Sequence, residues 1–183
     1  MLVRLYQDRV HNVCFRLLGM EEEARDVAQE VFVTIYRKVG SFKEHSRLTT
    51  WIYRIATNHA LNRIKYLDRR QFKQTRTLEI EDLERMSTVA AFPRPDQVLD
   101  ASRLEAYLQG ELDKLDPDQR AVVVLRDMEG LTYQDIAQIT GLNVGTLKSR
   151  LHRGRARLKE VLGRWLDQQE MTRLPVARKE GKS

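Results

Sequence analysis

The chain holds a single cysteine, Cys14, in 183 residues, so no disulfide can form within it and a disulfide-stapled secreted module is excluded. No apolar run approaches the roughly 20 residues that a membrane-spanning helix needs, so membrane insertion is not expected. The N-terminus also lacks the charged, apolar and small-residue order of a signal peptide, and the cytoplasm is the expected location. No alternating apolar–polar stretch of strand type stands out. The acids are scattered, with no cluster at metal-ligand spacing, which argues against a metal-dependent nucleic-acid enzyme. His11 and Cys14 can share one helix face, but two ligands are too few for zinc. Neither a metal nor a cofactor is expected.

What the chain does have is charge in blocks. The net charge is +6 with a sequence pI of about 9.6, which suits a polyanionic partner. Residues 37–76 carry eleven Lys/Arg against two acids, residues 79–118 four against eleven, and residues 143–183 eleven against four. These are net +9, −7 and +7. Charge runs alone are also what a solvated face looks like.

Helical periodicity fills most of the sequence. The spacing predicts helices over about Val3–Leu18, from near Glu22 to Gly40, over Leu48–Arg69, and again over Gln97–Leu115, Asp118–Met128, Tyr133–Ile139 and Val144–Trp165. Between them, residues 73–98 lose periodicity and contain Pro93 and Pro95. The expected fold is all-α: two small helical domains, 1–72 and 99–168, joined by a flexible acidic linker over 73–98, with a polar tail at 169–183.

Two segments carry the functional signal. In TYQDIAQITGLNVGTLKSRLHRGRARL, residues 132–158, a short helix, the turn residue Gly141 and the plug Leu142 lead into a second helix, the order of a helix-turn-helix. At about 100° per residue, Leu147, Leu151, Gly154, Leu158, Val161, Leu162 and Trp165 share one arc. Ser149, His152, Arg153 and Ala156 lie opposite, flanked by Lys148 and Arg155 on one side and Arg150 and Arg157 on the other. An ordinary amphipathic helix explains the leucines but not six Lys/Arg among residues 148–159. A major-groove reader explains both, with cations for phosphates and Arg or Ser for base edges.

In TTWIYRIATNHALNRIK, residues 49–65, Ile52, Ala56, Ala60 and Leu67 just beyond form the inward side. Trp51, Arg54, Asn58, Asn62 and Lys65 recur every three or four residues on another arc. An aromatic with amides and cations can stack on a base and hold the adjoining backbone, which suits single-stranded or melted DNA. Phe42, in the preceding loop, adds to that surface. Trp51 has a second reading, as plain core.

The strings AQEVFVTIYRKVGSF, TTWIYRIATNHALNRI and LTYQDIAQITGLNVGTLKSRLHRGRARL, with the acidic Pro-bearing linker, resemble an extracytoplasmic-function sigma factor of bacterial RNA polymerase over about residues 2–165. The resemblance implies sigma domains two and four and no catalysis by the chain itself. It implies that Asp26, Gln29, Glu30 and Phe32 dock on the β′ coiled coil of core RNA polymerase. The loop 41–47, with Phe42 and Lys43, and the face Trp51, Arg54, Asn58, Asn62 and Lys65 would recognise and melt the minus-ten element of promoter DNA. Lys148, Ser149, Arg150, His152 and Arg153, with Arg155 and Arg157, would contact the minus-thirty-five element, while domain four rests on the β flap. The linker would thread toward the RNA exit channel. An anti-sigma factor is a habitual partner in this family, and a stress or envelope-signal regulon its habitual target. Members usually carry a further helix ahead of the position of Leu2. A free-standing DNA-binding regulator shares the helix-turn-helix, but it leaves the Trp51 face and the linker without a purpose.

Overall fold

The computed structural model describes residues 2–42, 46–77 and 97–173. Residues 78–96 of the expected linker, residues 174–183 of the expected tail, and Lys43 lie outside the described residues. The helices are α1 (Leu2–Leu18), α2 (Glu21–Lys38), α3 (Leu48–Thr77), α4 (Gln97–Asp113), α5 (Pro117–Val123), α6 (Tyr133–Thr140) and α7 (Val144–Arg173). A short 3-10 turn, Val39–Ser41, follows α2, and a π turn, Val124–Met128, prolongs α5. No described helix is long and apolar enough to cross a membrane.

The first three helices form one bundle. In α1, Val10, Val13, Cys14, Leu17 and Leu18 are buried, the i, i+3, i+4, i+7, i+8 stripe of a helix with one face inward. Each fully buried aliphatic of this kind contributes about 1.5–3 kcal/mol. Burial pushes the Cys14 thiol up to about 12, so it behaves as a small core residue. Helix α2 begins at Met20 without a side-chain cap, and Glu21, Glu22 and Glu23 sit instead at the positive end of its dipole. Its stripe of Ala24, Val27, Ala28, Val31 and Ile35 meets Ile52, Ala56 and Ala60 of α3 in the same core.

The C-terminal helices are set by caps. Asp116 accepts hydrogen bonds from the amides of Asp118 (3.0 Å) and Gln119 (3.4 Å), with Pro117 opening α5. Thr132 and Asp135 form a capping box at the start of α6, Gly141 ends it in the left-handed region (φ 72°), and Asn143 caps α7 by accepting from Thr146 N at 2.8 Å. The π turn was not legible in the periodicity. Glu129 N donates to Val124 O and Leu131 N to Leu125 O, both at 3.0 Å, which widens the helix where Ala121–Leu125 are all buried.

The two helical units lie against one another. Helix α6 packs on α3, and α4 and α5 meet α1. The last carbonyls of α1, which its own helix leaves unpaired, accept donors from the C-terminal unit. Arg120 Nη1 reaches Leu17 O at 2.6 Å, and Gln109 Nε2 reaches Phe15 O and Arg16 O at 3.4 and 3.3 Å. Asp113 covers Gly19 (φ 73°), where any Cβ would fall inside its carboxylate. Burial raises the Asp113 carboxyl and lowers the Arg120 guanidinium, each opposed by the charge of the other.

Candidate nucleic-acid interface

Three surfaces hold the residues singled out from the sequence. On α3, Arg54, Asn58, Asn62 and Lys65 are exposed in one line. Trp51, at the head of that line, is half-buried against the core and presents the rest of its ring beside Phe42, with centroids 5.2 Å apart at 50°. Trp51 thus packs in part against the core while remaining partly accessible beside Phe42. Ile52, Ala56 and Ala60 on the far side are buried, which fixes the rotation of the helix.

On α7, Leu147, Leu151, Gly154 and Val161 face inward, and Ser149, His152, Arg153 and Ala156 face solvent. The cations there fall into two kinds. Arg150 Nη1 pairs with Asp118 Oδ2 at 2.9 Å, and Arg155 closes on Asp127 with two hydrogen bonds, which holds its guanidinium above the ordinary range. These two brace α7 against α5 and the π turn. Arg153 instead lies back along its own helix, Nε to Ser149 O at 3.4 Å and Nη2 to Ser149 Oγ at 3.3 Å, and Arg157 and His152 are exposed. Lys148 stands over the Tyr133 ring at 5.8 Å, beside Arg126 at 4.9 Å.

On α2, Asp26, Gln29 and Glu30 are exposed, whereas Phe32 packs against the core. Val33 and Tyr36, which the sequence reading passed over, are 49% and 84% exposed and continue the same line. Their spacing from Asp26 and Gln29, three and four residues at a time, was the available signal. Glu30 is tied to α3: Arg63 donates to Glu23 and Glu30 at 2.6 Å each, and His59 lies 3.4 Å from Glu30 and 3.1 Å from Thr34 Oγ1. The aliphatic and aromatic edges beside a carboxylate row make a surface suited to another protein. Among the described residues, no group of three His, Cys, Asp or Glu is placed to hold a metal ion.

The chain is similar to several known proteins. The family model described as Sigma-70 region 2 matches residues 2–70, and that described as Sigma-70, region 4 matches residues 105–158. The chain is 33% identical over 162 residues to the ECF RNA polymerase sigma factor SigW of Bacillus subtilis, covering 88% of this chain and 87% of that protein. It is 38% identical over 163 residues to the ECF RNA polymerase sigma factor SigE of Mycolicibacterium smegmatis, covering 89% of this chain but 61% of that longer relative. Among solved structures, the sigma factor RpoE in complex with the anti-sigma factor NepR from Bartonella quintana superposes with a TM-score of 0.67 at 25% identity, over 88% of this chain and 94% of that one. CnrH in complex with the cytosolic domain of CnrY shares the fold, with a TM-score of 0.60 at 24% identity, over 88% and 85% of the two chains.

Proposed function

This chain belongs to the ECF RNA polymerase sigma factors, and from that premise we propose how its surfaces divide the work of promoter recognition and transcription initiation. Helix α2 docks on the β′ coiled coil of core polymerase through Asp26, Gln29 and Glu30, with Val33 and Tyr36 supplying the apolar contact. Phe42, Trp51, Arg54, Asn58, Asn62 and Lys65 receive the melted minus-ten strand: the rings stack on a base, the amides read edges, and the cations follow the backbone. Ser149, His152 and Arg153 face the minus-thirty-five major groove, with Lys148 and Arg157 toward phosphates. The C-terminal unit also rests on the β flap. An anti-sigma factor restrains the chain in the cytoplasm, and the promoters it serves answer a stress or envelope signal.

The single observation that carries this reading is the exposed line Arg54–Asn58–Asn62–Lys65 continuing from the Phe42–Trp51 ring pair. Asn58 is the test, because it is exposed and its loss leaves the core intact. Asn58→Ala should slow open-complex formation on duplex promoter while polymerase binding is unchanged, and a pre-melted bubble should restore transcription. Equal opening by the variant and the parent on closed duplex would remove Asn58 from the melting surface.

A further inference from the structure

Asp26, Gln29, Glu30 and Val33 of α2 recur three and four residues apart and line a groove whose other wall is His59 of α3. Glu30 stands out in this row because its carboxylate is held from α3. Arg63 Nη2 donates to Glu30 Oε1 at 2.6 Å, and Arg63 Nη1 donates to Glu23 Oε2 at the same distance. One guanidinium thus joins two acids that lie seven residues apart on α2, a span that suits its planar fork of donors. Arg63 keeps 22% of its side-chain surface and Glu23 28%, so water and salt screen this fork less than an open surface pair. Arg63 does not itself line the groove, and it grips Glu30 from behind.

The other oxygen of Glu30 is left for a partner. Glu30 Oε2 lies 3.4 Å from His59 Nδ1, a long contact that a stronger donor can replace. The ring is kept in place by its Nε2, 3.1 Å from Thr34 Oγ1, and the Thr34 hydroxyl donates in turn to Glu30 O at 2.9 Å. A carboxylate offers about four lone-pair sites, so Oε2 can accept from an incoming cation without displacing Arg63 from Oε1. A carboxylate already set in one rotamer also spares its partner the entropy of ordering it. Arg37 closes the far end of the groove, which directs a cation to the Asp26–Glu30 end.

We propose that Arg63 is a positioning residue for polymerase docking: from α3 it fixes the Glu30 carboxylate so that Oε2 receives a basic side chain of core polymerase. This role rests on the docking of α2 proposed above. It is separable from promoter melting, because Arg63 sits about 100° round the helix from Asn62 and off the line of Arg54, Asn58, Asn62 and Lys65.

The test titrates core polymerase with the full chain and then follows open-complex formation at saturation. Arg63→Met keeps the stem and removes the fork. Ordering one rotamer-rich side chain corresponds to about 2- to 12-fold in affinity, so half-saturation of core should need that much more of the variant. The opening rate of the saturated holoenzyme should stay at the parent's value. Arg63→Lys, which keeps the charge but serves one acid at a time, should lose less. Glu30→Gln should weaken core binding by itself, and adding Arg63→Met to it should weaken binding no further. Glu23→Gln removes one arm of the fork and leaves Glu30 held, so core affinity should stay near the parent's. An equal loss in Glu23→Gln and Arg63→Met makes Arg63 a plain tie between α2 and α3 and overturns the proposal. Unchanged core affinity in Arg63→Met overturns it too, as does a loss that persists in full beside Glu30→Gln. If Glu30→Gln binds core polymerase like the parent, the docking of Glu30 is itself at fault, and the positioning role falls with it.

Discussion

Arg155 of α7 donates from both Nε and Nη2 to the Asp127 carboxylate, a forked pair between the second helix of the helix-turn-helix and the π turn 28 residues earlier. A guanidinium committed in this way gives up its best bidentate geometry before any phosphate arrives. The pair is partly exposed, so its worth to stability is about 0.2–1 kcal/mol. Arg155→Ala should therefore lower stability slightly and leave base preference unchanged. Asp127→Asn should instead release Arg155 and raise sequence-independent DNA affinity, steepening the salt slope by about one unit. Binding titrations across salt and across single-base-pair promoter variants check both, and a loss confined to one base pair in Arg155→Ala would sink this assignment.

Gly154 marks where α7 crosses α5. A Cβ there would lie 2.6 Å from Val123 Cγ2, inside van der Waals contact, whereas one at Gly163 would meet nothing within 4 Å. Gly154→Ala should cost about 1–3 kcal/mol through overpacking, less the helix propensity gained. Gly163→Ala should keep that gain, up to about 1 kcal/mol. Denaturant unfolding of the two variants should move in opposite directions. A common direction would mean that the crossing relaxes without cost.

Periodicity made the helices legible because an amphipathic stripe is a local property: the inward Leu147–Leu151–Val161 arc and the outward Ser149–His152–Arg153 arc both follow from spacing. What spacing cannot supply is the partner. Arg150 and Arg155 look like Arg153 in sequence, and only the fold brings Asp118 and Asp127 beside them. Phe32 follows only from the family resemblance; on α2 it is partly buried against the core, while Val33 and Tyr36 face out. The seam between the units was equally hidden. Thr50, Asp135, Gln109 and Arg120 are ordinary polar residues on their own helices, and a charge tally cannot tell an acid that faces solvent from one that receives a hydroxyl across an interface.

Asp135 gives the start of α6 an acid limit. The Thr132 hydroxyl, the largest influence, holds its carboxyl below the usual range; burial opposes it, and the Thr50 hydroxyl, the Thr132 amide and the Arg47 charge add to the lowering. Because the folded value lies below the unfolded one, ordinarily about 3.9, the stabilisation is fully present above that value and is lost as pH falls through the folded value. Hydrogen-exchange protection at the first turn of α6 should thus decline below about pH 4 in the parent. Asp135→Asn should begin lower and show no such decline. A parent profile flat to pH 2 would place the capping carboxylate outside the folding equilibrium.

Arg153 and Arg157 separate base reading from charge on the same helix. Arg153 leans toward Ser149 and the N-terminal end of α7, where helix-turn-helix readers present their base-contacting side chains, whereas Arg157 is exposed one turn further on. Reaching a guanine edge requires Arg153 to exchange two long hydrogen bonds to Ser149 for a bidentate pair, a favourable trade for a guanidinium. Arg153→Ala in the full chain bound to polymerase should therefore cost about 1–3 kcal/mol at one position of the minus-thirty-five element and flatten the preference there. Arg157→Ala should weaken all promoters by one factor and reduce the salt slope by about one unit. Holoenzyme binding to promoters altered one base pair at a time distinguishes the two. If both substitutions lower every promoter equally, Arg153 is a phosphate clamp and base reading falls to Ser149 and His152.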